Sequence, residues 1–294
     1  MTTTTQHRRP APAHSSPRSF MITISAQFRL QCLGFFRNSR SLFFTVAFPI
    51  ALALLFGIAN EHESMPFQGT STTVEYASWT ALGLSAYVLL MGGFVKVAGD
   101  IASQRESGLL KRIRLRGSSD AAVLAGYVLA GLLVSIVCLV LLLAASVLFL
   151  KLPAPVHPGG VILVGLGGAI LCTTIGLAYS AFIPSAEASQ MLLLVPTLIL
   201  MFLSGVFEPD WLVPDTLRDI GSFFPVQYLA DAARSQWLGV DLIHSTINGD
   251  SVTVGSAQGL SILVGHGLWG CPAWFVVSLV AAARFFRWDA RVSR

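Results

Sequence analysis

The chain has 294 residues, of which 54% are hydrophobic and only 12% are charged, and its mean hydropathy is +0.69. A soluble globular domain carries about 25% charged residues, so this composition leaves too little polar surface to cover a folded exterior in water. The formal net charge is +4, but the basic residues flank apolar runs, as they do in membrane proteins, and we predict no nucleic-acid partner. Because spanning backbone must satisfy its own hydrogen bonds, the composition predicts an all-α integral membrane protein in contact with the lipid bilayer.

Two segments precede the first apolar run. Residues 1–19 are polar and rich in Thr, Ser and Pro, which predicts a disordered tail. Residues 20–38 carry apolar side chains at alternate positions, as in a strand, and also at helical spacing. An isolated strand beside a membrane would leave its backbone groups unpaired. We therefore favour an amphipathic helix in the cytoplasmic interface, with Arg29 and Arg37 near lipid headgroups.

Six apolar runs have the length of membrane spans, because a hydrocarbon core of roughly 30 Å requires about 20 residues of helix. They predict six transmembrane helices, at about residues 41–59, 77–97, 121–150, 160–183, 190–207 and 260–283. The third run is longer than a bilayer needs. At 1.5 Å per residue it covers about 45 Å, so we expect it to tilt or to project beyond the membrane.

The basic residues are distributed unequally between the two sides of the membrane. If the N-terminus is cytoplasmic, 16 of the 19 Lys and Arg residues fall in cytoplasmic segments, and only Lys151, Arg218 and Arg234 lie outside. The positive-inside rule therefore predicts that both termini are cytoplasmic. We expect a multi-pass protein of the cell's inner (plasma) membrane.

The loop from about residue 98 to residue 118 is the most charged stretch between spans. It combines an apolar side, formed by Leu109, Leu110 and Ile113, with a basic side. One interpretation is a solvated loop that contacts lipid headgroups. The other is a short helix that docks a cytoplasmic partner.

The segment between the fifth and sixth spans contains more apolar and aromatic residues than a free loop does. Pro214-Asp215 predicts the start of a helix with Asp215 as its N-cap, and Phe224-Pro225 predicts its end. A second short helix is predicted from Val226 to Trp237. We interpret the two as re-entrant half-helices that dip toward the outer leaflet, and residues 238–259 as an exposed loop.

Sites for enzymatic or ion-coupled chemistry are not evident. A P-loop needs Gly-Lys-Ser/Thr, but the three lysines follow Val95, Leu110 and Leu150, so we predict no cofactor in this chain. No nucleophile, base and orienting group converge, and we predict no catalytic or metal-binding residues and no enzymatic activity. The spans hold almost no carboxylates, which argues against an ion-coupled transporter. His266, near a span interior, is either a hydrogen-bonded structural histidine or a contact for a proton or substrate.

Three short segments carry a resemblance to a known family. They are Arg40-Ser41…Phe48-Pro49 at the start of the first span, Gln104-Arg105-Glu106-Ser107-Gly108-Leu109-Leu110-Lys111-Arg112, and Leu203-Ser204-Gly205-Val206-Phe207 leading to Phe224-Pro225-Val226-Gln227-Tyr228. Together they resemble the ABC-2 type transporter permeases, the membrane subunits of ATP-driven exporters, and in particular the daunorubicin-resistance-like subunits. The resemblance covers nearly all of the chain after the tail, so we assign residues 20–294 to one ABC-2 type transmembrane domain.

The resemblance implies a partner and a coupling segment. In this family a pair of permeases, two copies or two homologues, binds separate P-loop ATPase subunits, which hold ATP and Mg. The loop after the second span then transmits closure of the ATPase. The resemblance assigns that role to Gln104, Arg105, Glu106, Gly108, Leu109, Lys111 and Arg112. Gln104 stands where many members carry an acidic residue.

The resemblance also implies export, because the link from Pro184 to Ser189 is far shorter than the coupling loop of binding-protein-dependent importers. Similar permeases extrude apolar drugs or natural products, and others move lipids or polysaccharides. Aromatic, uncharged spans suit an apolar or cationic amphiphile, and our candidates for the substrate path are Phe44, Tyr87, Phe202 and His266. Two other classes stay open: an ion-coupled secondary transporter, and a membrane scaffold for an ATPase that transports nothing.

Overall fold

The structure of the protein, a computed structural model, describes residues 17–60, 64–66, 73–207, 214–240, 262–264, 270–286 and 288. In these ranges it is built almost entirely of helices, which confirms the predicted all-α class of integral membrane protein. Five helices are long and apolar enough to cross a membrane, and a shorter apolar helix follows at the position of the last predicted span.

The elements follow one another along the chain as ten helices or helical rods and one small antiparallel strand pair within the described ranges. They are α1 (Pro17–Phe36), α2 (Ser39–Ala59), β1 (Ser64–Pro66), β2 (Thr73–Glu75), α3 (Tyr76–Glu106), α4 (Leu109–Leu115), α5 (Asp120–Phe149), α6 (Pro158–Tyr179), α7 (Ala186–Leu203), α8 (Asp215–Gly221), α9 (Pro225–Leu238), a 3-10 turn (Ile262–Val264) and α10 (Cys271–Phe285).

Helix α1 forms where the sequence predicts an amphipathic helix, but it begins at Pro17, inside the predicted tail. Residues 1–16 of that tail lie outside the described residues. The buried face of α1 packs against α5, where a side chain at Gly126 would overlap the Cβ of Gln27. The opposite face exposes large apolar residues such as Met21 and Leu33. This combination of a packed face and an exposed apolar face is typical of a helix at a membrane interface.

Helix α3 is the centre of the bundle, and helices α2, α5, α6 and α9 pack around it. Close packing depends on glycines in its π-helical turn, Leu90–Val95. A Cβ at Gly92 would lie 2.8 Å from the Cα of Ser135 on α5, and one at Gly93 would lie 2.9 Å from the backbone nitrogen of Thr173 on α6. Small residues let helix backbones approach closely in a membrane, where packing rather than hydrophobicity holds helices together.

Helix α2 also contains a π-helical turn, Phe43–Ala47, directly before the buried Pro49. Proline has no N–H for the carbonyl four residues earlier, and a local π-turn is one way in which a helix accommodates that loss.

The prediction of a loop at residues 98–118 was wrong for residues 98–106, because α3 continues as a helix to Glu106. The physical reason is a buried apolar stripe, Val97, Ile101 and Ala102, that continues the packing of the span beneath the charged residues. The rest of the predicted loop contains the short helix α4, so this region is a helix, a tight turn and a second helix.

Helices α8 and α9 lie at the positions of the two predicted half-helices. One detail was wrong: Asp215 is the first residue of α8 rather than the N-cap that precedes it, so the helix begins one residue earlier. Most of the predicted loop at residues 238–259 lies outside the described residues, as does the first part of the predicted sixth span, with His266. The described part of that span is α10, which has 15 residues.

Candidate functional site

The side chain of Arg105, near the end of α3, points into the protein rather than toward solvent. It is buried and donates to the main-chain carbonyl oxygen of Ser180 at 3.1 Å and to that of Ile183. Ser180 caps the C-terminal end of α6, where free carbonyls carry partial negative charge and attract a cation. Arg105 therefore attaches the end of α3 to the link between α6 and α7.

The neighbours of Arg105 contact two further helices. The Glu106 carboxylate accepts a hydrogen bond from the backbone N–H of Ala186, the first residue of α7. A carboxylate is favourable there because the first N–H groups of a helix have no partners within it. The Gln104 side-chain oxygen accepts a hydrogen bond of 2.5 Å from the hydroxyl of Tyr127 on α5. Gln104, Arg105 and Glu106 thus connect α3 to three parts of the bundle.

A sharp turn at Gly108 separates α3 from α4. Gly108 has φ 71° and ψ 8°, a left-handed conformation that glycine adopts without steric cost. In α4 that follows, Leu110 is buried and Leu109 is half-buried, so the helix is anchored by one face.

The other face of α4 is basic and open to solvent. We call the exposed side chains of Lys111, Arg112 and Arg116 the basic face. A fourth cation, Arg114, lies 3.3 Å from the Asp120 carboxylate and 5.3 Å from the Trp288 ring centroid. The residues that the resemblance assigned to one coupling segment therefore divide into two sets, one that holds the helices together and one that faces outward.

A cavity of about 400 Å³ lies on the same half of the bundle, between α1, α2, α3 and α7. Two candidates for the substrate path, Phe44 and Tyr87, line it, and the Tyr87 hydroxyl donates to the Phe44 carbonyl oxygen at 3.4 Å. Lys96 and Asp100, one helical turn apart on α3, also line it and form an ion pair of 2.7 Å.

The other two candidates are not part of this cavity. Phe202 is 67% exposed near the opposite end of α7, and its ring lies 5.7 Å from that of Phe207. His266 lies outside the described residues. The structure therefore brings Phe44 and Tyr87 together and leaves Phe202 apart from them.

A second buried arginine, Arg234 on α9, is a site that sequence reasoning missed. Its side chain is 0% exposed and pairs with Asp231 at 3.0 Å. It donates to the carbonyl oxygens of Gly205 at 2.6 Å and of Val206 at 3.1 Å, and its guanidinium lies 3.7 Å from the centroid of the Trp79 ring. The available signal was the spacing of an Asp and an Arg by three residues in an otherwise weakly charged segment.

The described residues contain no group of three or more His, Cys, Asp or Glu side chains that could hold a metal ion. No curated protein matches the chain. A family model described as ABC-2 type transporter matches residues 23–237, which extend from α1 to α9 and make up more than half of the chain. With its apolar spanning helices, the chain is a membrane protein that belongs to the ABC-2 type transporter family.

Proposed function

We propose that this chain is the permease subunit of an ATP-driven exporter in the plasma membrane, with both termini in the cytoplasm. A separate P-loop ATPase, which holds ATP and Mg, docks on the basic face of α4, and a second permease, a copy or a homologue, completes the pathway. The observation that carries this proposal is the exposed basic face at the end of a helix that crosses the whole bundle.

The geometry suits the transmission of force. α3 has 31 residues, so as one helical rod it extends about 46 Å from the outer surface to the turn at Gly108. Arg105 and Glu106 attach its end to α6 and α7. A displacement of α4 by the partner then moves the ends of three membrane helices together.

The cargo that we propose is an amphiphilic drug or natural product that binds in the cavity beside Phe44 and Tyr87. Export of lipid or polysaccharide by the same architecture is the alternative within the family. A proton-coupled secondary transporter is the alternative from another class, and the Lys96–Asp100 ion pair on the cavity wall is the observation that favours it. Transport that continues in the presence of proton uncouplers but stops when ATP is depleted would reject the secondary transporter.

The experiment that tests the partnership compares two charge-reversal variants of the tagged full chain. Lys111→Glu with Arg112→Glu reverses the basic face, whereas Arg29→Glu with Arg37→Glu makes the same change of charge at two exposed positions, one on α1 and one directly after it. An ATPase should co-purify stoichiometrically with the wild type and the α1 variant, and should be lost from the α4 variant. An ATPase that binds all three chains equally would reject the basic face as its docking site. The absence of any ATPase from the wild-type sample would favour the secondary transporter.

A further inference from the structure

The cavity between α1, α2, α3 and α7 changes from polar to apolar along each of its three longest walls. On α2, Arg40 and Ser41 come first, and Phe44 with the buried Thr45 follows one turn later. On α7, Ser189 and Gln190 come first and Leu194 and Leu198 follow; Thr197 between these two leucines donates its hydroxyl within the helix, to the Leu193 carbonyl oxygen. Both helices run outward from the cytoplasmic side in the orientation that the positive-inside rule gives. Their polar residues therefore lie at the cytoplasmic end of the cavity.

The wall on α3, which runs in the opposite direction, shows the same gradient. Tyr87 and Met91 come first along α3, and Lys96 and Asp100 follow toward the cytoplasm. Tyr87 and Lys96 are nine residues apart, so the apolar part of the wall is about 13 Å long. All three walls are thus polar at the cytoplasmic end of the cavity and mainly apolar farther into the membrane. This arrangement matches a molecule whose polar head faces the cytoplasm and whose tail points into the membrane.

The polar end of the cavity carries one uncompensated positive charge. Lys96 is only 5% exposed at its side chain and is neutralised by Asp100 at 2.7 Å. Arg40 is exposed, and within the described ranges its side chain has no ion pair or hydrogen bond. Since Asp100 is the only carboxylate on the described lining, the three charged groups sum to +1.

The apolar end of the cavity is open to the side. Phe44, Leu194 and Leu198 line it and are exposed, so an apolar chain could enter laterally from the bilayer rather than through solvent. A cavity of about 400 Å³ is also within the range of roughly 300–1,000 Å³ that small-molecule sites occupy.

We propose that this cavity binds an amphiphile with an acidic head and an apolar tail, taken from the cytoplasmic leaflet. The head lies against Arg40 beside the Lys96–Asp100 pair, and the tail lies along Met91 and Leu194. The aromatic residues alone favoured an apolar or cationic ligand, but the net charge of the lining repels a cation. Export of this ligand rests on the proposed function; its binding does not.

The test uses the full-length chain in neutral phosphatidylcholine nanodiscs, without ATPase. Two photoreactive probes carry the same dodecyl tail with a diazirine, one with a phosphate head and one with a trimethylammonium head. We expect the phosphate probe to label peptides that line the cavity, and the trimethylammonium probe to label them several-fold less. Inorganic phosphate at the probe's concentration should not compete, because it lacks the tail.

Two pairs of variants identify the parts of the site. Arg40→Gln should lower labelling by the phosphate probe about fivefold, the factor that one basic residue contributes near an anionic headgroup. The control Arg37→Gln removes an exposed charge that does not line the cavity and should leave labelling unchanged. Leu194→Trp should fill the apolar end and block labelling, whereas Met191→Trp, at a 71% exposed position outside the lining, should not.

Three results would overturn the proposal: equal or stronger labelling by the trimethylammonium probe, identical effects of Arg40→Gln and Arg37→Gln, or full competition by inorganic phosphate alone. The binding assay contains no ATPase, so its failure leaves the partnership intact. Conversely, a chain that binds the phosphate probe but recruits no ATPase would reject the proposed function alone.

Discussion

A buried arginine holds each end of the helix bundle, and the two differ in what surrounds them. At one end, which the proposed orientation makes the outer end, Arg234 pairs with Asp231, stacks on Trp79 and donates to carbonyl oxygens that follow α7. At the other end, which the same orientation makes the cytoplasmic end, Arg105 donates to the carbonyl oxygens of Ser180 and Ile183. A solvent-exposed basic helix begins four residues after Arg105, whereas the surroundings of Arg234 are closed.

The difference indicates which end is built to stay fixed. At the outer end even the opposite helix is adapted to the arginine, because a side chain at Gly83 would overlap the Arg234 guanidinium and the Val206 carbonyl. A cation that is desolvated, paired and stacked has no competing partner in solvent. At the cytoplasmic end, internal and outward-facing groups alternate within a few residues, so a force applied at α4 reaches the bundle directly.

The largest effect is expected from the outer arginine. Arg234→Met should lower the free energy of unfolding by about 3–5 kcal/mol, because it removes the buried cation that the half-buried Asp231 carboxylate and several carbonyl oxygens contact. Denaturant titration in detergent measures this loss. In the double variant with Asp231→Leu a large part of the stability should return, and a loss below about 1 kcal/mol in the single variant would mean that the outer end is not held by this pair.

Replacement of Arg105 should lower the stability less than replacement of Arg234, but it should impair the coupling of ATP hydrolysis to transport more. Arg105→Met leaves the Ser180 and Ile183 carbonyls without a donor, which costs about 1–3 kcal/mol, and it frees α3 from the link between α6 and α7. We expect reduced coupling of ATP hydrolysis to transport even where the ATPase still binds. Arg112→Met removes an exposed charge and should change stability by no more than about 0.5 kcal/mol, with weaker ATPase association instead.

Two glycines adopt the left-handed backbone conformation near α4. Comparing their alanine variants distinguishes the stability cost of backbone strain from the role of the α3–α4 turn in coupling. Gly108 and Gly117, before and after α4, have φ of 71° and 77°, and no atom lies within 4 Å of an added Cβ at either position. Each change to alanine should therefore cost about 1–2 kcal/mol through backbone conformation alone. Only Gly108→Ala should weaken coupling, since it alone alters how α4 is joined to α3. Equal coupling in both variants would mean that this turn transmits nothing.

The positions of the spans were predictable because the hydrocarbon core of a bilayer requires apolar runs of about 20 residues, which are visible in the sequence. The first five predicted spans each overlap a helix, and α5 differs from its prediction by a single residue at each end. The boundary that failed was that of α3. The charges of Asp100 and Arg105 predict a loop, whereas the buried Val97, Ile101 and Ala102 extend the helix through both positions and Arg105 itself faces inward.

The roles of individual charged residues were much less predictable. Arg105 and Glu106 contact residues 75 and 80 positions away, and no local pattern reveals which carbonyl or N–H will be in reach. Arg234 was counted only as a basic residue outside the membrane, because its burial depends on Trp79, 155 positions earlier. Composition locates a charge along the chain, but only the packing of distant helices determines whether it faces inward or outward.

The smallest effect on stability is expected from Glu106→Gln. This variant tests whether the Glu106 carboxylate acts within the chain or on the ATPase partner. Glu106→Gln removes the charge at the start of α7 but keeps an oxygen that can accept from Ala186, so it should cost about 0.3–1 kcal/mol of stability. That cost should shrink as salt is added, because the site is exposed. If the carboxylate acts only within the chain, ATPase co-purification should match the wild type at every salt concentration. If Glu106→Gln releases the ATPase at unchanged stability, the carboxylate faces the partner, and the inward-facing set at this end shrinks to Gln104 and Arg105.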